Sequence, residues 1–329
     1  MPVAAPEIDA QYRVLREGAG LLDRSERARL SVTGSESAEF LQGQLTNDVE
    51  ALGIGDGCYA ALLDRKGKIR ADMRVLRAAE DDFLIDTEPE AGELVLAHLS
   101  MYKVGRDADV AGAGAEEHLL SLLGPQASQV LGIPLPREHD HRSVVIAGAE
   151  CRAVATDLGA DLFVPAVGFD AVRAELLERG AEPIGSEAAE IARVEAGRPR
   201  LGHEIGPGTM PQEAGINDRA VSFSKGCYIG QETVARLHYK GKPNRHLRLL
   251  SSDALLPEGA PVSVDGREVG AIGTAVVSPA RGPLALAILR REAEPGSEVQ
   301  VGIGDTAPTA RVEAIVELGE PKDPEGHLG

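Results

Sequence analysis

The chain has no Trp, and aromatic residues make up only 3% of its 329 residues. Its cores must therefore be built from Leu, Val, Ile and Ala, with few large ring anchors. Cysteine is equally scarce. Cys58, Cys151 and Cys227 are odd in number and far apart, which argues against a disulfide framework and predicts reduced thiols in a cytoplasmic compartment. No CxxC pair and no His/Cys cluster has metal-ligand spacing, so no protein-only metal site is predicted. No apolar run approaches the ~20 residues of a membrane-spanning helix, and Met1–Glu17 lacks the basic-then-apolar layout of a secretory signal. The absence of a Walker A loop, and of a GxGxxG run opening a helix, disfavours P-loop and Rossmann nucleotide binding. Positive charge is also short. Against 52 Asp and Glu stand 34 Lys and Arg, a net charge of -18, which disfavours stable nucleic-acid binding.

What is present reads as a mixed chain long enough for two or three domains. Helical spacing of Ile8, Tyr12 and Leu15 predicts a helix over Glu7–Glu17. A strand is expected at Ala28–Val32, followed by a helix capped by Ser35. The runs Cys58–Leu63 and Ile69–Leu76 flank a Gly-containing loop and read as a hairpin. Pro89 opens a helix through Tyr102. The middle third repeats the mixture, with strands near 119–123, 143–146, 151–155 and 162–164 and helices at 169–179 and 186–195. After Pro243, short β-like runs alternate with Gly/Pro turns through 309–316, the pattern of a small antiparallel barrel. The expected organisation is two α+β lobes, 1–115 and 116–242, then a barrel at 243–320 and a frayed tail at 321–329.

Two basic islands interrupt the acidic background. From Lys225 to Arg248 there are six Lys/Arg against one acid, Glu232. Within it, Lys225-Gly226-Cys227-Tyr228-Ile229-Gly230-Gln231-Glu232 places a thiol two residues from an ammonium. If that segment is extended, the two share a face, and the ammonium would favour the thiolate. The bland alternative is a buried structural cysteine in a glycine-rich turn. The second island, Arg65–Arg77, carries six Lys/Arg around Asp72 alone. Alternation puts Ile69, Ala71, Met73 and Val75 on one face and Asp72 on the other, between Arg70 and Arg74. There Asp72 is expected to stay ionised and to take a hydrogen bond or proton from a ligand amine. Ordinary charge pairing on a solvated strand is the competing reading. Thr46-Asn47-Asp48 is a polar turn, and Arg193-Val194-Glu195 closes a helix at Gly197.

Taken together, KGCYIGQETVAR (225–236), LLDRSERARLSVTG (21–34), FLQGQLTNDV (40–49), RKGKIRADMRV (65–75), RVEAGRPRLGHEI (193–205) and MPQEAGI (210–216) resemble the YgfZ-type folate-binding proteins. These are relatives of the glycine-cleavage T protein, an aminomethyltransferase. The resemblance implies two α+β domains around a central opening for tetrahydrofolate, plus a C-terminal β-barrel. It implies Cys227, Lys225 and Asp72 as reactive residues. It further implies Asn47, Asp72, Arg193, Tyr228, Gln231, Glu232 and Arg236 as folate contacts. The primary expectation is a tetrahydrofolate-binding accessory factor for iron–sulfur client or assembly proteins, including tRNA-modifying ones. In that role Cys227 would hold a thiol-linked intermediate, relay reducing equivalents or touch a cluster briefly. The alternative is an aminomethyl or one-carbon transferase, in which Asp72 serves the folate amine. A non-enzymatic folate store is a third. The T protein's pterin-holding glutamate is not kept near Thr156–Leu162, and Asp161 or Glu213 is left to replace it. Both basic islands are expected to face the opening and to attract the anionic folate tail.

Overall fold

The computed structural model describes residues 6–112, 116–304 and 307–313, and the expected tail at 321–329 lies outside them. The first lobe is a five-stranded antiparallel sheet in the order Gly57–Leu63, Ile69–Ala79, Asp82–Thr87, Ala28–Thr33, Asp109–Gly112. One face is covered by the helices Ser37–Gln44 and Pro89–Tyr102. Alternating strand residues (Leu30 and Val32, Ala71, Met73 and Val75, Phe83 and Ile85) meet Phe40, Leu41, Val95 and Leu99 there. The helix start differs from expectation. Glu36, not Ser35, is the N-cap, and the Ser35 hydroxyl donates to Asp107 Oδ2 at 2.6 Å, pinning the strand end instead.

The second lobe is a six-stranded sheet ordered Glu182–Pro183, Gly20–Asp23, Glu117–Leu123, Gly159–Pro165, Ala149–Thr156, His141–Ile146. All its pairings are antiparallel except the first. Leu120, Leu122, Leu162 and Val164 pack under the helices Ala127–Leu131 and Phe169–Glu178 through Val130, Leu131, Val172 and Leu176. The opposite faces of the two sheets meet through a small apolar contact of Leu76, Leu119, Val154 and Phe163. Leu84 packs against this contact, while Ala61 and Leu63 on the first sheet's same face pack against Ile205 and Met210.

Arg245–Ser251, Gly282–Arg290, Arg267–Ser278, Pro261–Val264, Glu298–Val301 and Thr309–Val312 close into a six-stranded antiparallel barrel around Leu250, Val262, Ile272, Leu289, Val299 and Val312. Closure leaves no open sheet edge. The helices Pro6–Glu17 and Ser186–Glu195 lie against it through Ile8, Tyr12, Ile191, Val194, Leu249 and Leu286. Among the described residues, no helix is long and apolar enough to cross a membrane.

Candidate functional site

Period-two alternation on Ile69–Ala79 turns Asp72 and Arg74 away from the helix-covered core and towards the second sheet. The competing reading of a solvated, charge-paired strand face does not hold, because both side chains are buried. They line a cavity of about 200 Å³ between the sheets. The first sheet contributes Arg27, Tyr59, Asp72, Arg74, Asp86 and Glu88, and the second contributes Ser121, Leu123, Thr156 and Asp161. Glu138 and His139 close one side.

Most of this wall is internally paired. Arg27 bridges Asp86 and Glu88, and Arg74 bridges Asp86 and, at 2.8 Å, Asp161. Asp161 also accepts from Ser121 Oγ at 2.5 Å, its partner directly across the strand pair. Burial alone would raise the Asp86 pKa, but Arg27 and Arg74 hold its carboxyl well below the usual range. Asp72 is one of the exceptions. Tyr59 donates its hydroxyl to Oδ2, while Oδ1 is buried with no partner. Burial pushes the Asp72 pKa up, against the hydrogen bond from Tyr59. The expectation that Arg70 and Arg74 flank Asp72 and hold it ionised is therefore corrected as to those arginines, and burial acts on its pKa in the opposite direction. Arg74 is engaged with Asp86 and Asp161, and Arg70 is exposed, its Nη1 lying 3.4 Å from His98 Nδ1.

Lys225 and Cys227 are separated. Lys225 is 8% exposed, and its ammonium donates to the carbonyls of Gln42, Leu45 and Asn47 at 2.6, 2.7 and 2.8 Å. These three acceptors use all three of its protons. Two of them end the Ser37–Gln44 helix, and the third anchors the polar turn. Burial lowers the Lys225 pKa to about 8. The thiol near Lys225 is Cys58, buried and pushed up to about 12, whereas Cys227 points outward and is exposed. The idea that Lys225 activates Cys227 is overturned, because the 225–228 segment turns Lys225 and Tyr228 inward and Cys227 outward.

Asn47 is likewise occupied. Its Nδ2 donates to the carbonyls of Tyr59 and Arg219 at 2.8 and 2.9 Å, and its Oδ1 accepts from the Asp48 amide. It thereby fixes Tyr59 and Arg219, whose guanidinium lies 5.3 Å over the Tyr59 ring. Arg193 does not line the cavity. It ties the Ser186–Glu195 helix to the barrel through Glu204 at 3.0 Å and Thr274 at 2.7 Å, and also bonds Glu190 and the Arg198 carbonyl.

Tyr228, Gln231 and Glu232 line a separate open cleft of about 460 Å³ with Arg65, Tyr102 and Thr233. There the hairpin tip meets the start of the Gln231–Lys240 helix. Gly230 caps that helix at φ +86, and a Cβ on it would lie 2.5 Å from the Asp64 carbonyl, so only glycine fits. Arg236 is exposed on the same helix. The two basic islands do touch, but not around Asp72. Arg245 pairs with Glu213, Arg248 is buried against the Ala293 carbonyl, and Arg77 donates to the carbonyls of Leu52 and Glu80. Of the basic residues in the two islands only Arg74 lines the inter-sheet cavity, so the expected positive funnel does not form around it. Of the two acids proposed to replace the missing glutamate, Asp161 lines the cavity, while Glu213 joins the 206–213 loop to Arg245 and Lys68. The residues missed from sequence, Tyr59, Arg27, Asp86, Glu88, Glu138 and His139, gather only through the stacking of two sheets. The one available signal was Tyr59, which sits on the hairpin opposite Arg74.

The GCVT N-terminal domain family matches residues 2–225. An aminomethyltransferase of Herpetosiphon aurantiacus is 31% identical over 327 residues, covering 95% of this chain and 90% of that protein. One from Rubrobacter xylanophilus is 28% identical over 313 residues, covering 92% and 84%. The crystal structure of the glycine cleavage system aminomethyltransferase T from Bartonella henselae superposes with a TM-score of 0.83 at 25% identity, covering 97% of this chain and 92% of that one.

Proposed function

The chain belongs to the GCVT N-terminal domain family, and on that premise we propose that it is a tetrahydrofolate-dependent aminomethyltransferase, with the inter-sheet cavity as its folate site. This reverses the order of the two functions first expected. The observation that carries it is Asp72, buried in the cavity with one oxygen held by Tyr59 and the other unpartnered. A buried carboxyl oxygen without a partner is costly unless a ligand completes it. The cavity is smaller than the roughly 300–1,000 Å³ of a pocket for a whole drug-sized ligand, so it would take the bicyclic head of folate rather than the entire molecule. A neighbouring depression of about 200 Å³ shares its Leu123 and Leu158 wall. Bound tetrahydrofolate supplies the amine nitrogens that receive a one-carbon unit. Asp72 Oδ1 holds or takes a proton at those nitrogens, and burial, by raising its pKa, favours the protonated carboxyl more than an exposed site would. Asp161 is the acid on the facing sheet that replaces the missing glutamate. Positioning supplies much of the remaining rate.

The test is ammonia release from an aminomethyl-loaded lipoyl carrier protein in the presence of tetrahydrofolate. Asp72→Asn should lower kcat on the order of 100-fold and change folate affinity much less. Wild-type protein that binds tetrahydrofolate and releases no ammonia would remove the transferase reading.

A second reading keeps the YgfZ-type resemblance, as an accessory factor for iron–sulfur proteins. It is favoured by one observation, the exposure of Cys227, the single exposed thiol among the described residues. One thiolate cannot hold a four-iron cluster alone, so any contact would be shared with a client. Full rescue of a deletion strain's iron–sulfur enzymes by Cys227→Ala would remove the thiol from that role.

A further inference from the structure

His139 stands out among the cavity residues for its backbone. Among the described residues, the chain places glycine at 22 positive-φ positions and other residues at only three, His139, Ala147 and Asp265. Ala147 and Asp265 each precede a glycine in a two-residue hairpin turn, between the pairs Ile146–Ala149 and Val264–Arg267, where a positive φ is intrinsic to the turn. His139, at φ 70, is in no such hairpin. Its amide donates to the Ala155 carbonyl at 2.9 Å, which fixes the backbone in this conformation. A turn alone would be better served by glycine, since a Cβ is disfavoured there. Strain of this kind collects where a side chain has work to do.

The side chain has no protein partner for its inner nitrogen. Nδ1 is buried and unbonded, while Nε2 lies 3.7 Å from Glu138 Oε1. The carboxylate favours the proton on Nε2 and leaves Nδ1 a lone-pair acceptor. Besides Arg74 Nη2 and Asp86 Oδ2, which pair with each other, three more buried polar atoms without a partner line the same cavity: Asp72 Oδ1, the Thr156 hydroxyl and Arg74 Nε. His139 Nδ1 and Asp72 Oδ1 are acceptors, the Thr156 hydroxyl can donate or accept and Arg74 Nε donates, so the space suits a ligand that carries N–H donors together with an acceptor.

We propose that His139 is a further ligand-binding residue of this cavity, its Nδ1 accepting a hydrogen bond from an N–H of a reduced pterin-type head group. The proposal rests on the tetrahydrofolate reading of the site and adds a contact to it. Desolvation, with Arg74 and Arg219 nearby, lowers the His139 pKa to about 3. The ring is therefore neutral at working pH, an acceptor rather than an acid.

The test uses His139→Gly, which keeps the left-handed backbone and removes the ring, and His139→Asn, which tolerates that backbone and keeps an acceptor. Tetrahydrofolate affinity is measured by calorimetry and thermal stability on the same samples. The expected result is roughly tenfold weaker binding by His139→Gly, a Tm no lower than wild type, and partial recovery of binding in His139→Asn. Wild-type affinity in both variants would overturn the proposal, as would a lowered Tm with unchanged affinity. Failure of the wild-type protein to bind tetrahydrofolate would instead overturn the folate reading itself, and this contact with it.

Discussion

Lys225→Met removes the ammonium while keeping an unbranched apolar stem. The carbonyls of Gln42, Leu45 and Asn47 then lose donors at 2.6–2.8 Å in a region where Leu45 and Thr46 are fully buried. A buried carbonyl without a donor costs about 1–3 kcal/mol, so three cost about 3–9 kcal/mol. Against this, the variant no longer buries a charge. Lowering the lysine pKa from 10.5 to about 8 corresponds to a burial penalty on the order of 3 kcal/mol. The difference is centred on a destabilisation of about 3 kcal/mol, read as a lower denaturant midpoint at unchanged slope. The same samples are treated with iodoacetamide under native conditions, where Cys58 and Cys151 are buried and only Cys227 is exposed. If Lys225 acts through the backbone, alkylation of folded Lys225→Met proceeds at the wild-type rate. Unchanged stability together with slowed alkylation would refute this reasoning and restore Lys225 as the activator of Cys227.

Acid should destabilise the protein well before its carboxylates titrate. Burial pushes His139 down to about 3 and His141 to about 4 from an ordinary 6.5. Because the unfolded chain takes up these protons first, their contribution is intact above pH 6.5 and is lost as the pH falls from there towards 4. Denaturation midpoints between pH 7 and 5 check this, with a shallower fall in His139→Gly. Arg74→Met strands Asp161 and leaves Asp86 with Arg27 alone, for an expected loss of about 3–5 kcal/mol. Gly230→Ala forces a Cβ against the Asp64 carbonyl at a positive φ and should cost more than about 1 kcal/mol in the same denaturation assay.

Elements with strong local signals were legible in the sequence. Pro89–Tyr102 and Ser186–Glu195 were bounded as observed, and the barrel strands stood out by their turns. Gln231–Lys240 was missed as a helix because Gly230 caps it without a Ser, Thr, Asp or Asn signal. Asp82–Thr87 was missed because Asp82 and Asp86 mask its alternation, and Asp86 is inward only because Arg27 and Arg74 await it. For the site, Asp72 was legible as a lone acid in a basic run. The run itself misled, since the charge of Arg74 is cancelled by residues 12 and 87 positions away. Lys225 misled for a related reason. Its partners are backbone carbonyls some 180 residues earlier, which no local motif announces.

The inter-sheet cavity has a polarity that bears on how anything enters it. Its walls hold three arginines, Arg24, Arg27 and Arg74, against six carboxyl groups, those of Asp72, Asp86, Glu88, Glu138, Asp157 and Asp161. Field lines in so confined a space are weakly screened. A molecule with a neutral, donor-rich head and an anionic tail therefore has one favoured approach, head first, with the acidic end left trailing in solvent. Lengthening that tail would change what the outer surface meets and leave the surroundings of the unpartnered Asp72 oxygen untouched.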